Sequence, residues 1–242
     1  WCIHALLKAA GRRMGMSGRR QTSKADDLIP PGGARELLLL ACCAPCSGEP
    51  LRALGHEGLR PVVYFYNPNI HPREEYERRR DCVQSYCQKL GVEFVEGPYD
   101  PERWFTRTAG METEPQRGRR CAECFRLRLE RAAEFTRRKG LTVLACTLGI
   151  SRWKDLAQVD ASGLAATAGV AGVQYWPRNW RKAGGSQRMY EIARAEFFYM
   201  QDYCGCVFSK ADRRDAPAVG EDGGGAGSPS APRGTQRSFE YE

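Results

Sequence analysis

The stretch Glu36-Leu37-Leu38-Leu39-Leu40-Ala41-Cys42-Cys43-Ala44-Pro45-Cys46-Ser47 decides the fold. Its first half is a nearly unbroken apolar run, introduced by the turn formers Pro30-Pro31-Gly32-Gly33. Such a run fits a strand buried on both faces of a parallel sheet, because a strand with one wet face would alternate. Its second half places three thiols within five positions at the strand's end. Adjacent Cys42 and Cys43 are poorly placed to bridge one another, since a disulfide between neighbours is strained. They are better placed to face something shared.

Outward from this stretch, strand and helix patterns alternate. Residues 48–57 suit a short helix. Residues 60–66, Arg-Pro-Val-Val-Tyr-Phe-Tyr, suit a second strand ended by Asn67-Pro68-Asn69. A helix is predicted over 72–90, with Pro72 at its first turn, Glu74 and Glu75 near its start and Gly91 as its stop. Residues 92–96 read as strand three, and Asp100-Pro101-Glu102 as a helix start. The longest helical pattern spans 119–139, with Phe125, Leu129, Ala132 and Phe135 at helical spacing. Strand four is placed at 141–146, a helix at 153–168, strand five at 173–176, and a helix from Ser186 toward Tyr199. Alternation of this kind implies right-handed crossovers, hence an α/β fold with a parallel sheet sandwiched by helices.

The chain has 242 residues with 42% hydrophobic content, enough for a sizeable core in one main domain. The expected organisation is a flexible basic extension at 1–35, a catalytic domain at 36–209, and a disordered Gly/Pro/Ser-rich tail at 210–242. Residue 1 is tryptophan, so the expectation is either a fragment or a translation begun upstream of the true start, with Met14 or Met16 as the candidate beginning. The formal charge is +8, and residues 1–35 hold seven Lys/Arg against two Asp. That balance is compatible with a nucleic-acid partner without establishing one. No apolar run reaches the roughly 18 to 20 residues of a membrane span, and residues 1–7 do not form a secretory signal. The expectation is a cytoplasmic protein without a membrane partner.

Eleven cysteines in a chain of this kind favour metal ligation or redox chemistry over a disulfide framework. In an open parallel sheet, ligands collect outside the carboxyl ends of the strands, where Cys42, Cys43 and Cys46 fall. Cys121-x-x-Cys124 opens the long helix, so its sulfurs can share one metal or gain a lowered pKa. Cys204-Gly205-Cys206 adds two more. Seven thiols in three groups exceed the four needed by one structural zinc or one all-cysteine iron–sulfur cluster. The residues alone leave open a zinc staple with spare thiols, iron–sulfur binding, and metal-free dithiol chemistry. Cys2, Cys82, Cys87 and Cys146 stand alone and read as packing or surface residues. With three histidines in the chain, His-dominated acid–base catalysis is not expected.

Taken together, Cys-Cys-Ala-Pro-Cys-Ser after strand one, Tyr64-Phe65-Tyr66-Asn67-Pro68-Asn69-Ile70-His71-Pro72 after strand two, Cys121-x-x-Cys124-Phe125-Arg126-Leu127-Arg128-Leu129-Glu130, and the closing Gln201-Asp202-Tyr203-Cys204-Gly205-Cys206-Val207-Phe208-Ser209 resemble the cobalamin-independent epoxyqueuosine reductases, the QueH family. Thr147-Leu148-Gly149-Ile150-Ser151-Arg152-Trp153-Lys154 fits as well, and the resemblance spans about residues 36–209. It implies an adenine-nucleotide α-hydrolase-like α/β sandwich and two-electron removal of the epoxide oxygen of epoxyqueuosine in the tRNA anticodon, giving queuosine and water. It also implies a 4Fe–4S cluster with an additional metal ion, taken as iron, held among Cys42, Cys43, Cys46, Cys121, Cys124, Cys204 and Cys206. An open coordination position would act as Lewis acid while the cluster relays electrons from an unidentified donor. Asp202 and Cys43 are the expected catalytic residues, Asp202 as proton source or extra ligand, although a turn cap is its plain alternative.

For tRNA, Tyr66, Asn67 and Asn69 are expected to line the base pocket. Arg119, Arg120, Lys154, Arg181 and Lys182 are expected contacts in basic stretches that also include Arg178 and Arg188, with Trp176 and Trp180 as stacking aromatics. Solvated surface charge is the alternative for the basic residues. A zinc-stabilised RNA-binding module without catalysis is the competing function. A tRNA-thiolating enzyme that uses ATP is disfavoured, because the cysteine loop occupies the place of a pyrophosphate loop.

Overall fold

The computed structural model describes residues 28–214. Most of the expected extension at 1–35 and tail at 210–242 therefore lies outside the described residues. The strand β1 (Glu36–Leu40) sits at the centre of a five-stranded, all-parallel sheet. Beside it run β2 (Arg60–Phe65) and then β3 (Phe94–Glu96) on one side, and β4 (Val143–Cys146) and then β5 (Gln174–Tyr175) on the other. Leu37, Leu38, Leu39 and Leu40 are all fully buried. A central parallel strand is covered from both faces, and each such leucine contributes about 1.5–3 kcal/mol through burial.

Seven α-helices connect and close the sheet in the described residues, α1 (Ala44–His56), α2 (Arg73–Leu90), α3 (Pro101–Thr108), α4 (Arg119–Arg138), α5 (Leu156–Ala168), α6 (Gly185–Ala195) and α7 (Val207–Arg214), and Pro31–Gly33 and Leu148–Ile150 are short 3-10 turns. Right-handed crossovers place α1 and α2 on one face and α4 and α5 on the other. Accordingly α1 packs on α6, and α4 packs on α5. None of the described helices is long and apolar enough to cross a membrane.

The boundaries differ from the sequence reading where side chains intervene. The helix α1 begins at Ala44 rather than residue 48, because Pro45 in the first turn has no N–H to lose there. The helix α5 begins at Leu156 rather than 153, since Asp155 caps it by accepting from the Gln158 amide at 3.2 Å. The helix α6 stops at Ala195, short of Tyr199, where Phe197 takes a positive φ of 53°. The helix α7, which was not anticipated, runs past residue 209.

The strand order carries the functional consequence. The chain winds from β1 out to β3, then crosses back to β4 beside β1. Between β1 and β4 the winding reverses, and a crevice opens there outside the carboxyl ends of the strands. The Thr147 amide donates to the Leu40 carbonyl at 3.0 Å, fixing the two exit loops side by side.

Candidate metal centre and substrate cleft

Cys42, Cys43 and Cys46 gather where β1 enters α1. Cys43 precedes the helix in an extended conformation, and the first turn carries Cys46 back over it. The Ser47 amide and hydroxyl both donate to the Cys43 carbonyl, at 3.2 and 2.8 Å. The three sulfurs lie within 4.8 Å of one another, all buried, with Cys42 and Cys43 sulfurs 3.7 Å apart. Hydrogen bonds from Cys43 and Cys46 hold the Cys42 thiol well below its ordinary pKa despite burial, with Lys154 and Arg128 adding to the effect. The hydrogen bond to Cys42 pushes Cys43 up to about 12, and Cys46 is raised for the same reason.

The other four cysteines form a second group. Cys121 and Cys124 occupy the first two turns of α4, while Cys204 and Cys206 flank the glycine before α7. Burial raises Cys121, and it raises Cys124 to about 11, with the Cys204 sulfur adding to both. Cys204 is held well below the ordinary thiol value by the Cys206 hydrogen bond, against burial and helped by Ser209 at 3.0 Å. The Arg117 amide donates to the Cys121 sulfur at 3.3 Å.

Lys154 joins the groups. Burial opposes its charge, yet Cys42, Cys46, Cys43 and Cys204 outweigh burial and raise its pKa. Its loop, the one leaving β4, is pinned by two arginines. Arg181 Nη2 donates to the Ser151 and Lys154 carbonyls at 2.5 and 2.8 Å, and Arg117 donates to those of Trp153 and Arg152 at 3.0 and 3.1 Å.

A cleft of about 90 Å³ lies over these sulfurs, lined by Cys42, Cys46 and Cys204 together with side chains from the β2, β4 and pre-α7 loops. Asn67 is fully buried and lines the cleft. Its Nδ2 donates to the Ala41 carbonyl at 3.0 Å, and its Oδ1 accepts from Arg128 at 2.5 Å. Tyr66 is also buried, and its hydroxyl donates to Asp100 at 3.3 Å. Asn69, only 3% exposed, lines the cleft with an Oδ1 that has no partner. Gln201 donates through Nε2 to the Cys43 sulfur at 2.8 Å and leaves its Oε1 unpartnered. Asp202 is exposed at the cleft wall.

The basic residues separate by environment. Arg119 and Lys182 are exposed. Arg120 is 2% exposed, donating to the Met111 and Glu112 carbonyls at 3.1 and 2.8 Å, with Phe208 beneath its guanidinium. Arg181 braces the Lys154 loop, and Arg188 pairs with buried Glu49. The stacking role expected for Trp176 and Trp180 is corrected. Both are buried in the core in edge contact at 6.0 Å, and Trp180 Nε1 donates to the Cys146 carbonyl. The exposed aromatic at the cleft is Trp153, at 57%. Cys82, Cys87 and Cys146 lie apart from both sulfur groups, in or against the core, whereas Cys2 lies outside the described residues.

Sequence reasoning passed over Arg79. It is buried on α2, paired with buried Glu75 at 2.6 Å, and it donates to the Cys204 and Tyr203 carbonyls at 3.1 and 3.2 Å. The Tyr199 hydroxyl donates to the other Glu75 oxygen at 2.9 Å. An i,i+4 Glu/Arg pair reads as a solvated helix face, so no sequence signal marks it as the clamp on the last cysteine turn.

Buried sulfurs offset by Arg79, Arg128 and Lys154 make a donor set suited to a thiolate-held metal, since cations stabilise ionised thiols that neutral packing would not tolerate. The family model for epoxyqueuosine reductase QueH matches residues 37–212. The curated epoxyqueuosine reductase QueH of Haemophilus influenzae is 50% identical over 182 residues, covering 75% of this chain and 74% of that protein. Those of Histophilus somni and Acinetobacter baylyi are 49% and 46% identical over 182 residues, covering 75% of this chain and 75% and 84% of theirs. Among solved structures, the U34-tRNA thiolase NcsA from Methanococcus maripaludis with its 4Fe–4S cluster aligns at a TM-score of 0.46 and 12% identity, over 73% of this chain and 62% of that one. On the family match and these identities, the chain belongs to the epoxyqueuosine reductase QueH family.

Proposed function

We infer that the chain is an epoxyqueuosine reductase, acting on tRNA whose anticodon carries epoxyqueuosine and producing queuosine and water. Within a chain of this family, the observation that carries the chemistry is the buried Cys42, Cys43 and Cys46 trio, with Cys42, Cys46 and the distant Cys204 lining one cleft at the switch point of the sheet. Removal of the epoxide oxygen as water takes two electrons and two protons and leaves a carbon–carbon double bond. Cys42, Cys43, Cys46, Cys121, Cys124, Cys204 and Cys206 are the residues that would hold the metals. Bound there, a 4Fe–4S cluster and a second ion, iron, supply one-electron transfer and Lewis acidity.

The remaining steps belong to the chain's own side chains. The unpartnered acceptors Asn69 Oδ1 and Gln201 Oε1 take N–H or O–H donors of the modified base. Asp202, at the cleft wall, delivers a proton to the leaving oxygen. Trp153 offers an exposed face for stacking, and Arg119 and Lys182 offer charge to phosphates. Lys154, inside the cleft, offsets thiolate charge there. Numerous free thiols support a reducing compartment, the cytoplasm.

The test is anaerobic incubation of iron-loaded protein with epoxyqueuosine-containing tRNA and dithionite, with nucleoside mass spectrometry as readout. Loss of one oxygen from the modified nucleoside is expected. An unchanged epoxide with fully loaded protein would overturn the reading.

A further inference from the structure

Trp104 carries an N–H that the fold leaves without a partner. The side chain is fully buried, and Nε1 makes no hydrogen bond in the structure. An indole N–H can only donate, and leaving a buried donor bare costs about 1–3 kcal/mol, so such groups normally find acceptors. Trp104 instead sits in a small cluster with Cys124, Leu127 and Cys206, against which Phe208 packs. The side chains of that cluster offer sulfur as their only acceptor. The ring is held on several sides, with His71 and Phe105 each at 5.2 Å and Phe208 at 6.0 Å between centroids. Its backbone carbonyl is fixed by Thr108 Oγ1 at 2.9 Å. The N–H therefore cannot swing away to another acceptor.

Of the two sulfurs, Cys124 belongs to the start of α4, and α4 packs directly on α3, the helix that carries Trp104. A neutral thiol is a weak acceptor, whereas a thiolate accepts as a charged group does and more strongly. A thiolate held by a metal is therefore the acceptor that this donor suits.

We propose that Trp104 Nε1–H donates to the Cys124 sulfur once that sulfur is a metal-held thiolate, and so raises the reduction potential of the centre that Cys124 helps to hold. The proposal rests on the reading of Cys124 as an iron–sulfur ligand. Electron density added on reduction collects partly on the ligand sulfurs, so a donor aimed at one of them stabilises the reduced state over the oxidised state. Other sulfurs here have donors of their own, Gln201 for Cys43 and the Arg117 amide for Cys121. Trp104 supplies the corresponding bond to Cys124. It acts through a ligand, which makes it a positioning residue.

The experiment uses the full chain loaded anaerobically with iron and sulfide, as wild type, as Trp104→Phe, and with benzothienylalanine at position 104, an isostere with sulfur in place of the N–H. Iron and sulfide content and visible absorption report loading, and dithionite titration with mediators reports the potential. Equal loading is expected, with the reduced-to-oxidised ratio at a given potential about tenfold lower in both variants, a shift of about 59 mV for one electron. Deuterium-sensitive Fe–S stretching bands of the wild type should also lose their largest shift. A loaded variant whose ratio stays within about twofold of wild type overturns the proposal. If Trp104→Phe fails to load because of the smaller ring, the isostere decides by the same criterion. Wild type that takes up no iron overturns the proposal together with the cluster reading. Wild type that loads but leaves the epoxide intact, with the potential shift present, sinks the assigned reaction and leaves the Trp104 bond standing.

Discussion

At the scale of single residues, the cleft shows how burial changes what a side chain does. Arg120 looks like a phosphate contact in Arg117-Gly118-Arg119-Arg120, but two backbone carbonyls and the Phe208 ring claim its guanidinium. His71 shows the same for titration. Burial lowers its pKa to about 4 against a smaller pull from Glu102, and its Nε2 has no partner. Because the folded value lies below the unfolded one near 6.5, the folded state binds fewer protons between these two pH values. Stability is unaffected by His71 above about pH 6.5 and falls as pH drops toward 4, by at most about 1.4 kcal/mol per pH unit. His71→Phe keeps the ring contacts to Trp104 and Phe105 and removes the titration. Urea unfolding of the metal-free proteins should give similar midpoints at pH 7.5 and a higher midpoint for the variant at pH 5. Parallel declines of the two proteins with falling pH would show that His71 is not the source.

At the scale of elements, the turn into α7 is the part that geometry constrains most tightly. Gly205 has φ +110°, and a Cβ there would stand 2.8 Å from Ile70 Cγ1 and 3.2 Å from Arg79 Nη1. The Gly205 carbonyl accepts from the His71 amide at 2.8 Å, and the Tyr203 hydroxyl donates to the His71 carbonyl, so this turn is laced to the β2 exit loop. Gly205→Ala is expected to cost about 1–3 kcal/mol through backbone strain and crowding. It should also lower iron uptake, since Cys204 and Cys206 move with the turn. Thermal melts and metal analysis on one preparation check both. A variant of wild-type stability and iron content would mean that the turn accommodates the methyl by moving Ile70.

The boundary errors also belong to this scale. Strand centres and helix bodies followed from apolar periodicity, a short-range property. The ends of α1, α5 and α6 depended on Pro45 in a first turn, on the Asp155 cap and on the positive φ of Phe197. These are single-residue events that a periodicity window averages away.

At the scale of the whole molecule, sulfurs from three parts of the chain share the stabilising charges of Arg79, Arg128 and Lys154. Any metal that binds only the folded arrangement stabilises the fold by mass action. With free metal at a hundred times its dissociation constant the gain is about 2.7 kcal/mol, which for a domain of this size corresponds to about 5–10 °C in Tm. Chelation under anaerobic, reducing conditions should lower Tm by that order, and reloading should restore it. A Tm indifferent to metal removal would argue that the seven thiols do not act as ligands of a shared centre.

What this sequence determines by itself is the α/β class, the central position of the 36–41 run and the three cysteine groups with the chemistry they imply, because periodicity and residue type are local properties. Only the tertiary structure decides that Cys42, Cys46 and Cys204 line one cleft, that the Glu75–Arg79 pair faces inward to grip the last cysteine turn, and that Trp176 and Trp180 belong to the core while Trp153 faces the cleft. The reason is physical. Burial and charge pairing depend on which elements the sheet order brings together, and that order is a property of the whole chain, which no stretch of it carries alone.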